Sequence, residues 1–152
     1  MKKKPNSLYV HPARKKSIQR PEQRLQIAVF NFLRPLMEAQ QYKQFVAFHV
    51  PNGGKRTKAE AGIFKAMGVM AGVADICLLL PCVRNKHGGI AEVAHVCWIE
   101  MKAGKGSTTD NQDAFGALMD DYGFDYRVLA ADNESEAVTI MQGILREYGV
   151  KC

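Results

Sequence analysis

The segment Val96-Cys97-Trp98-Ile99-Glu100-Met101-Lys102 sets two opposite charges, two residues apart, at the end of an apolar run. In an extended chain successive side chains alternate, so Trp98, Glu100 and Lys102 share one face and Cys97, Ile99 and Met101 the other. A carboxylate and an ammonium in that setting are costly unless they have a partner or a task. Asp75 raises the same question, because it opens Ile76-Cys77-Leu78-Leu79-Leu80, a run apolar on both faces. If residues 75–80 and 92–102 pair as an antiparallel hairpin, Asp75 and Glu100 meet at one end. Two converging carboxylates suit a hard divalent cation, which takes oxygen ligands, and Lys102 then lies beside the attacking water or the reacting phosphate. The plainer alternative is an ion pair between Glu100 and Lys102, with Asp75 capping a turn. The E-x-K triplet alone favours that alternative; an aspartate upstream, at the head of an apolar strand, brings the two readings level.

The elements that must position these residues follow from periodicity and turn signals. Pro21 opens a helix at its first position, where the missing N–H costs nothing, and Leu25, Val29, Phe32 and Leu36 give it one apolar stripe to about residue 40. Glu22 falls on that stripe. A ligand carried by the helix explains it, and so does a carboxylate favoured by the dipole at the helix N-terminus. Residues 45–50 read as a strand, stopped by Pro51-Asn52-Gly53-Gly54. Thr57 with Glu60 forms a capping-box pattern for a helix to about Met67. Strands are expected at 75–80 and 92–102, with a polar loop at 84–89 between them. Thr109 or Asp110 caps a helix ended by Gly123. A strand at 126–131 and an amphipathic helix at 134–148 complete the order. Helices alternating with strands in this way predict an α/β fold: a restriction-endonuclease-like sandwich, with a mixed central β-sheet flanked by helices.

A chain of 152 residues is enough for one domain. Its net charge of +6 is not spread evenly. Residues 1–20 hold seven basic residues and no acid, so residues 21–152 carry a net −1. We therefore expect a flexible basic arm at 1–20, suited to loose phosphate contact, and a single domain at 21–152. In that domain Lys55, Arg56 and Lys58 follow the Asn-Gly-Gly turn with no acid before Glu60. They are the best candidates for phosphate contact, against the alternative of a solvated face. Cys77, Cys82, Cys97 and Cys152 show neither a C-x-x-C pair nor zinc spacing and read as small hydrophobes. The N-terminus lacks the apolar core of a signal peptide, and no run reaches the length of a membrane span, so a cytoplasmic location without membrane contact is expected. Ala103-Gly104-Lys105-Gly106-Ser107-Thr108 lacks the P-loop spacing. His87 and His95 lack zinc spacing, and His49, alone at a strand end, reads as structural.

Asp75 followed by Glu100-Met101-Lys102, on successive strands after a helix, resembles the PD-(D/E)xK nuclease superfamily, and more closely its VRR-NUC family. The matching pieces are Glu22 with Leu25, Pro51-Asn52-Gly53-Gly54, Gly68, Gly72-Val73-Ala74-Asp75-Ile76, Ile99-Glu100-Met101-Lys102 and Gln112. They span residues 21–131. Ala74 stands where the superfamily name has proline, a position that shapes a turn and carries no chemistry.

The resemblance implies a Mg²⁺- or Mn²⁺-dependent DNA endonuclease with one or two ions. Its site set would be Glu22, Asp75, Glu100, Lys102 and Gln112. Asp75, Glu100 and the Met101 carbonyl would be ligands, with Glu22 a further one, and Lys102 would orient the attacking water and stabilise charge on the phosphate. Stand-alone members are phage- or bacterium-encoded and act as homodimers on branched DNA such as Holliday junctions. That implies DNA as partner, a second subunit, and a place in repair or recombination inside a bacterial cell. A general or restriction-like nicking nuclease, or a non-catalytic nucleic-acid-binding module of the same fold, is the alternative. For a second subunit, Val138, Ile140, Met141, Ile144 and Leu145 on the last helix offer apolar surface, unless the chain's own sheet takes it.

Overall fold

The structure, a computed structural model, describes residues 20–51, 57–81, 83–84, 90–92 and 94–152. The basic arm lies outside the described residues, apart from Arg20, and so do Lys55 and Arg56. In chain order the elements are α1 (Pro21–Ala39), β1 (Val46–His49), α2 (Lys58–Ala66), β2 (Ile76–Leu80), β3 (Val83–Arg84), β4 (Ile90–Glu92), β5 (His95–Ala103), α3 (Asp110–Asp121), β6 (Asp125–Ala131) and α4 (Glu134–Glu147). The main sheet has the order β1-β2-β5-β6. β1, β2 and β5 run antiparallel in turn and β6 runs parallel to β5, which makes the sheet mixed. The segment expected as one strand from residue 92 is divided: β4 pairs with β3 as a separate two-stranded ribbon, and β5 starts at His95. Arg84, expected to start a loop, belongs to β3.

Alternation along the strands gives the sheet two different faces. Ala47, Ile76, Leu78, Cys97, Ile99, Met101 and Leu129 pack with Leu25, Val29 and Leu33 of α1 and with Met141 and Leu145 of α4 in one continuous core. α1 runs through Pro35 without ending, because that ring lies on the exposed side and only one ladder bond is lost. On the other face α3 covers a smaller cluster of Ala74, Phe115 and Met119, with Trp98 and Tyr126 against it. Trp98 meets Phe115 edge to face, with ring centroids 5.3 Å apart.

Two glycines set how closely the second face is packed. Gly116 on α3 lies against the Tyr126 ring, where an added Cβ would stand 2.7 Å from a ring carbon. Gly72 has φ +81, and a Cβ there would fall 2.1 Å from the Asn111 carbonyl oxygen. Only glycine permits that approach of the loop before β2 to the first turn of α3. Helix α2 is held by its expected capping box, Thr57 N–H to Glu60 Oε2 at 2.8 Å and Glu60 N–H to Thr57 Oγ1 at 3.2 Å, yet none of its residues is buried. On α4, by contrast, Met141, Ile144 and Leu145 are consumed by the chain's own core and Ile140 packs against it. Most of that surface is therefore not spare for a second subunit, Val138 alone of the five standing half-buried outside that core. Among the described residues no helix is long and apolar enough to cross a membrane.

Candidate active site

β2 and β5 pair so that Ile76 faces Ile99. Continuing that register by one residue sets Asp75 beside Glu100. The Asp75 carboxylate is tied there, its Oδ2 accepting the Met101 N–H at 3.0 Å. β5 then directs Glu100 and Lys102 toward the α3 side while Met101 enters the main core. Glu100 and Lys102 are the only charged residues among the described ones that are buried, at 3% and 7% exposure.

Their partners come from α3. Thr109 begins that helix, and its N–H donates to Gln112 Oε1 at 2.9 Å. The same oxygen accepts from Lys102 Nζ at 3.1 Å, and Gln112 Nε2 donates to Glu100 Oε1. Lys102 Nζ lies 3.1 Å from Glu100 Oε1 as well. Gln112 thus caps α3 and bridges the two buried charges, so its side chain is fixed from three directions.

Glu100 Oε2 is left buried with no hydrogen-bond partner. Burial first, and the Asp75 charge second, push the Glu100 carboxyl up to about 7; Lys102 opposes this, and Glu22 adds the smallest contribution. An orphaned carboxylate oxygen beside a second carboxylate is what a cation would satisfy. Among the described residues no group of three or more His, Cys, Asp or Glu is gathered for a metal. Asp75 and Glu100 offer two carboxylates, a hard and sparse donor set that would suit an ion keeping several of its waters.

Of the residues singled out from sequence, the structure brings together Asp75, Glu100, Lys102 and Gln112. Glu22 lies exposed on the first turn of α1 and is felt at Glu100 through its charge. Lys58 is exposed at the start of α2. Cys77 and Cys97 are buried free thiols, pushed up to about 11 chiefly by burial, which keeps them protonated and inert. Tyr126 joins the site without having been singled out. Its buried hydroxyl has no hydrogen-bond partner, and its acidity is lowered by burial and then by the charges of Glu100, Asp113 and Asp75. Nothing in its local sequence marks it, since it follows only from the pairing of Tyr126 with Trp98 across β5 and β6. The capping role of Gln112 had a signal, the pattern Thr109-x-x-Gln112.

A solved structure described as a VRR_NUC domain protein matches over 84% of this chain and 90% of its own, at 22% identity and a TM-score of 0.52. The fold is that of a VRR_NUC domain. No protein-family model matches the chain, and no curated protein does. The restriction-endonuclease-like α/β sandwich expected from sequence is therefore the observed architecture, with the mixed sheet between α1 and α4 on one side and α3 on the other.

Proposed function

We propose that this chain is a nuclease of the VRR-NUC family, a Mg²⁺- or Mn²⁺-dependent endonuclease that hydrolyses phosphodiester bonds in DNA. The observation that carries the reading is Glu100: a buried carboxylate with one oxygen unpartnered, next to Asp75 and in contact with Lys102. A fold with no chemistry to perform gains nothing from burying that pair, since apolar side chains of similar volume are often neutral or stabilising there.

Asp75, Glu100 and the Met101 carbonyl would hold the cation, with Glu22 reaching it from α1. A bound divalent ion supplies charge neutralisation at the phosphate and lowers the pKa of water. The chain's own residues do the rest. The Asp75 carboxylate is prevented from rotating by the Met101 N–H. Gln112 holds Lys102 and Glu100 at fixed separation. The Lys102 ammonium stabilises negative charge developing on the scissile phosphate and orients the attacking water, in a buried setting where such charge acts strongly. Gln112, bound to α3 by its cap, keeps this geometry without reorganisation during the reaction.

Branched DNA, such as a four-way junction, is the proposed substrate, and a homodimer the acting form. Symmetric resolution needs cuts in two strands related by a two-fold axis, and a C₂ dimer supplies two sites with that symmetry. Exposed apolar side chains for such a contact are present on α2 and just beyond it, at Ile63, Met67 and Met70. The deciding experiment is cleavage of a four-way junction beside a matched linear duplex, with Mg²⁺, with Mn²⁺ and with chelator. Metal-dependent cleavage of the junction alone supports the full reading; equal cleavage of both leaves a general nuclease; no cleavage of either, with binding retained, makes the protein a binding module.

A further inference from the structure

His49 ends β1, and its ring makes two contacts through one atom. Nδ1 lies 2.8 Å from the Asp75 carbonyl oxygen and 2.6 Å from Gln26 Nε2. A carbonyl oxygen can only accept, so the first contact is a hydrogen bond only if Nδ1 carries a proton. With the proton there, Gln26 must present its amide oxygen rather than its nitrogen, and the two ends of that amide are nearly the same size. Nδ1–H then lies between two acceptors. The Asp75 carbonyl also accepts the Val50 N–H at 2.8 Å, which uses both of its lone pairs. Gln26 stands four residues after Glu22 on α1, on the same side of the helix. The ring therefore joins three elements at one point: β1, the residue before β2, and the face of α1 that carries Glu22.

We propose that His49, held as its Nδ1–H form by Asp75 and Gln26, is a positioning residue that fixes Glu22 and Asp75 relative to each other at the metal site. It acts through the Asp75 backbone and through α1, and it touches neither cation nor substrate. Because Gln26 lies only one turn from Glu22, this bond sets how far the start of α1 stands from the sheet end that carries Asp75. The proposal rests on the metal-site reading above.

The test is Mn²⁺ affinity of the full chain, measured by calorimetry without DNA, with thermal unfolding measured alongside. His49→Phe removes the donor and should weaken Mn²⁺ binding about 10-fold, the size typical of losing a group that orients a ligand. His49→Asn places an N–H near the position of the missing Nδ1–H and should recover most of that affinity. In a Glu22→Gln background His49→Phe should have little further effect, because the ligand it positions is already gone. Nitrogen chemical shifts of the imidazole should show Nδ1 protonated. An Nε2–H ring, equal loss in the Asn and Phe variants, or fully additive effects with Glu22→Gln each overturn the proposal. Failure of the underlying reading looks different: Asp75→Asn then binds Mn²⁺ as well as the wild type. Mn²⁺ binding that depends on Asp75 but ignores His49 overturns the positioning role alone.

Discussion

The two faces of the sheet solve opposite problems. The α1–α4 side is a continuous apolar core with no buried charge among the described residues, in which Val29, Leu33, Ala47, Ile99, Met141 and Leu145 are fully enclosed. The α3 side has a smaller apolar cluster of Ala74, Phe115 and Met119, and buries with it Glu100, Lys102 and the unpartnered atoms Trp98 Nε1, Glu100 Oε2 and Tyr126 Oη. One face supplies folding free energy and can spare nothing; the other accepts desolvated charge that its partner face makes affordable. On the proposed function stability and chemistry are thus separated by the thickness of one sheet, and the separation can be tested by mutating each side in turn.

The largest expected effects fall one on each face. Asp75→Asn or Lys102→Ala should lower the cleavage rate by at least ~10²-fold, about 2.7 kcal/mol of barrier. The Asp75→Asn protein should still unfold cooperatively near the wild-type temperature, whereas Lys102→Ala, which strips buried Glu100 of its cation, should unfold at a lower one. Leu33→Ala or Leu145→Ala on the other face should cost about 2–5 kcal/mol of stability and leave cleavage per folded molecule unchanged at low temperature. Denaturant unfolding and single-turnover cleavage of the four variants measure both quantities. A folded Asp75→Asn protein that cuts like the wild type would falsify the site assignment.

Gly72 should couple the two properties. With φ +81 and the Asn111 carbonyl 2.1 Å from where a Cβ would stand, Gly72→Ala must push the first turn of α3 away from the loop before β2. That turn carries Gln112, so Glu100 and Lys102 lose a shared partner. We expect a lower Tm and a cleavage rate reduced about 10-fold or more, on the scale of losing a group that orients ligands. Gly62→Ala, on exposed α2 with nothing within 4 Å of the added carbon, is the matched control: it should leave the cleavage rate unchanged and raise the Tm slightly, because alanine is the better helix former.

The acidity of Glu100 gives a subtler contrast. The unfolded chain titrates it near 4.5, the folded protein at about 7, because of burial and then Asp75. Between those values the folded state holds a proton that the unfolded chain has released. Its stability contribution is therefore full below about pH 4.5 and is lost as the pH rises through 7. Without divalent metal, the wild-type Tm should fall across that window more steeply than that of Glu100→Gln, and the variant should be the more stable one at pH 8. Added Mn²⁺ should restore the wild type at pH 8 and do little for the variant. Parallel Tm curves for the two proteins would show that Glu100 is not the group responsible.

Much of this is legible in sequence because it depends on alternation and short-range signals. Trp98, Glu100 and Lys102 fall on one face by period alone, and the Thr57 and Gly123 boundaries follow from capping chemistry. The pairing of β2 with β5 that aligns Asp75 with Glu100 needs only two apolar runs of suitable length. What the sequence does not carry is which apolar helix face meets which partner. The segments after Thr57 and at 134–148 both read as helices, yet α4 is built into the core and α2 is exposed throughout. Long-range packing of α1 against α4 decides that, and no local pattern encodes it. The role of His49 is hidden for the same reason, since its significance lies in Gln26 and Asp75, 23 and 26 residues away.

The smallest effect on chemistry is expected from residues 1–20, which apart from Arg20 lie outside the described residues. Residues 1–20 carry seven positive charges, while residues 21–152 have a net −1 and residues 120–152 alone a net −4. On the proposed reading the α3 face sets up the reaction, but its buried Lys102 is committed to Glu100 and Gln112 and cannot also supply general affinity for a polyanion. If the arm supplies it, deleting residues 1–20 should weaken DNA binding. The log–log salt slope on duplex DNA should then fall by roughly 0.9 for each phosphate that the arm no longer neutralises. The cleavage rate at saturating substrate should hardly change, because no group of the proposed site is removed. Fluorescence anisotropy across a salt series, with single-turnover cleavage at the highest enzyme concentration, separates the two. A slope that is unchanged after the deletion assigns the phosphate contacts to the folded domain instead, with the lysines and arginine between residues 55 and 58 as the first to substitute.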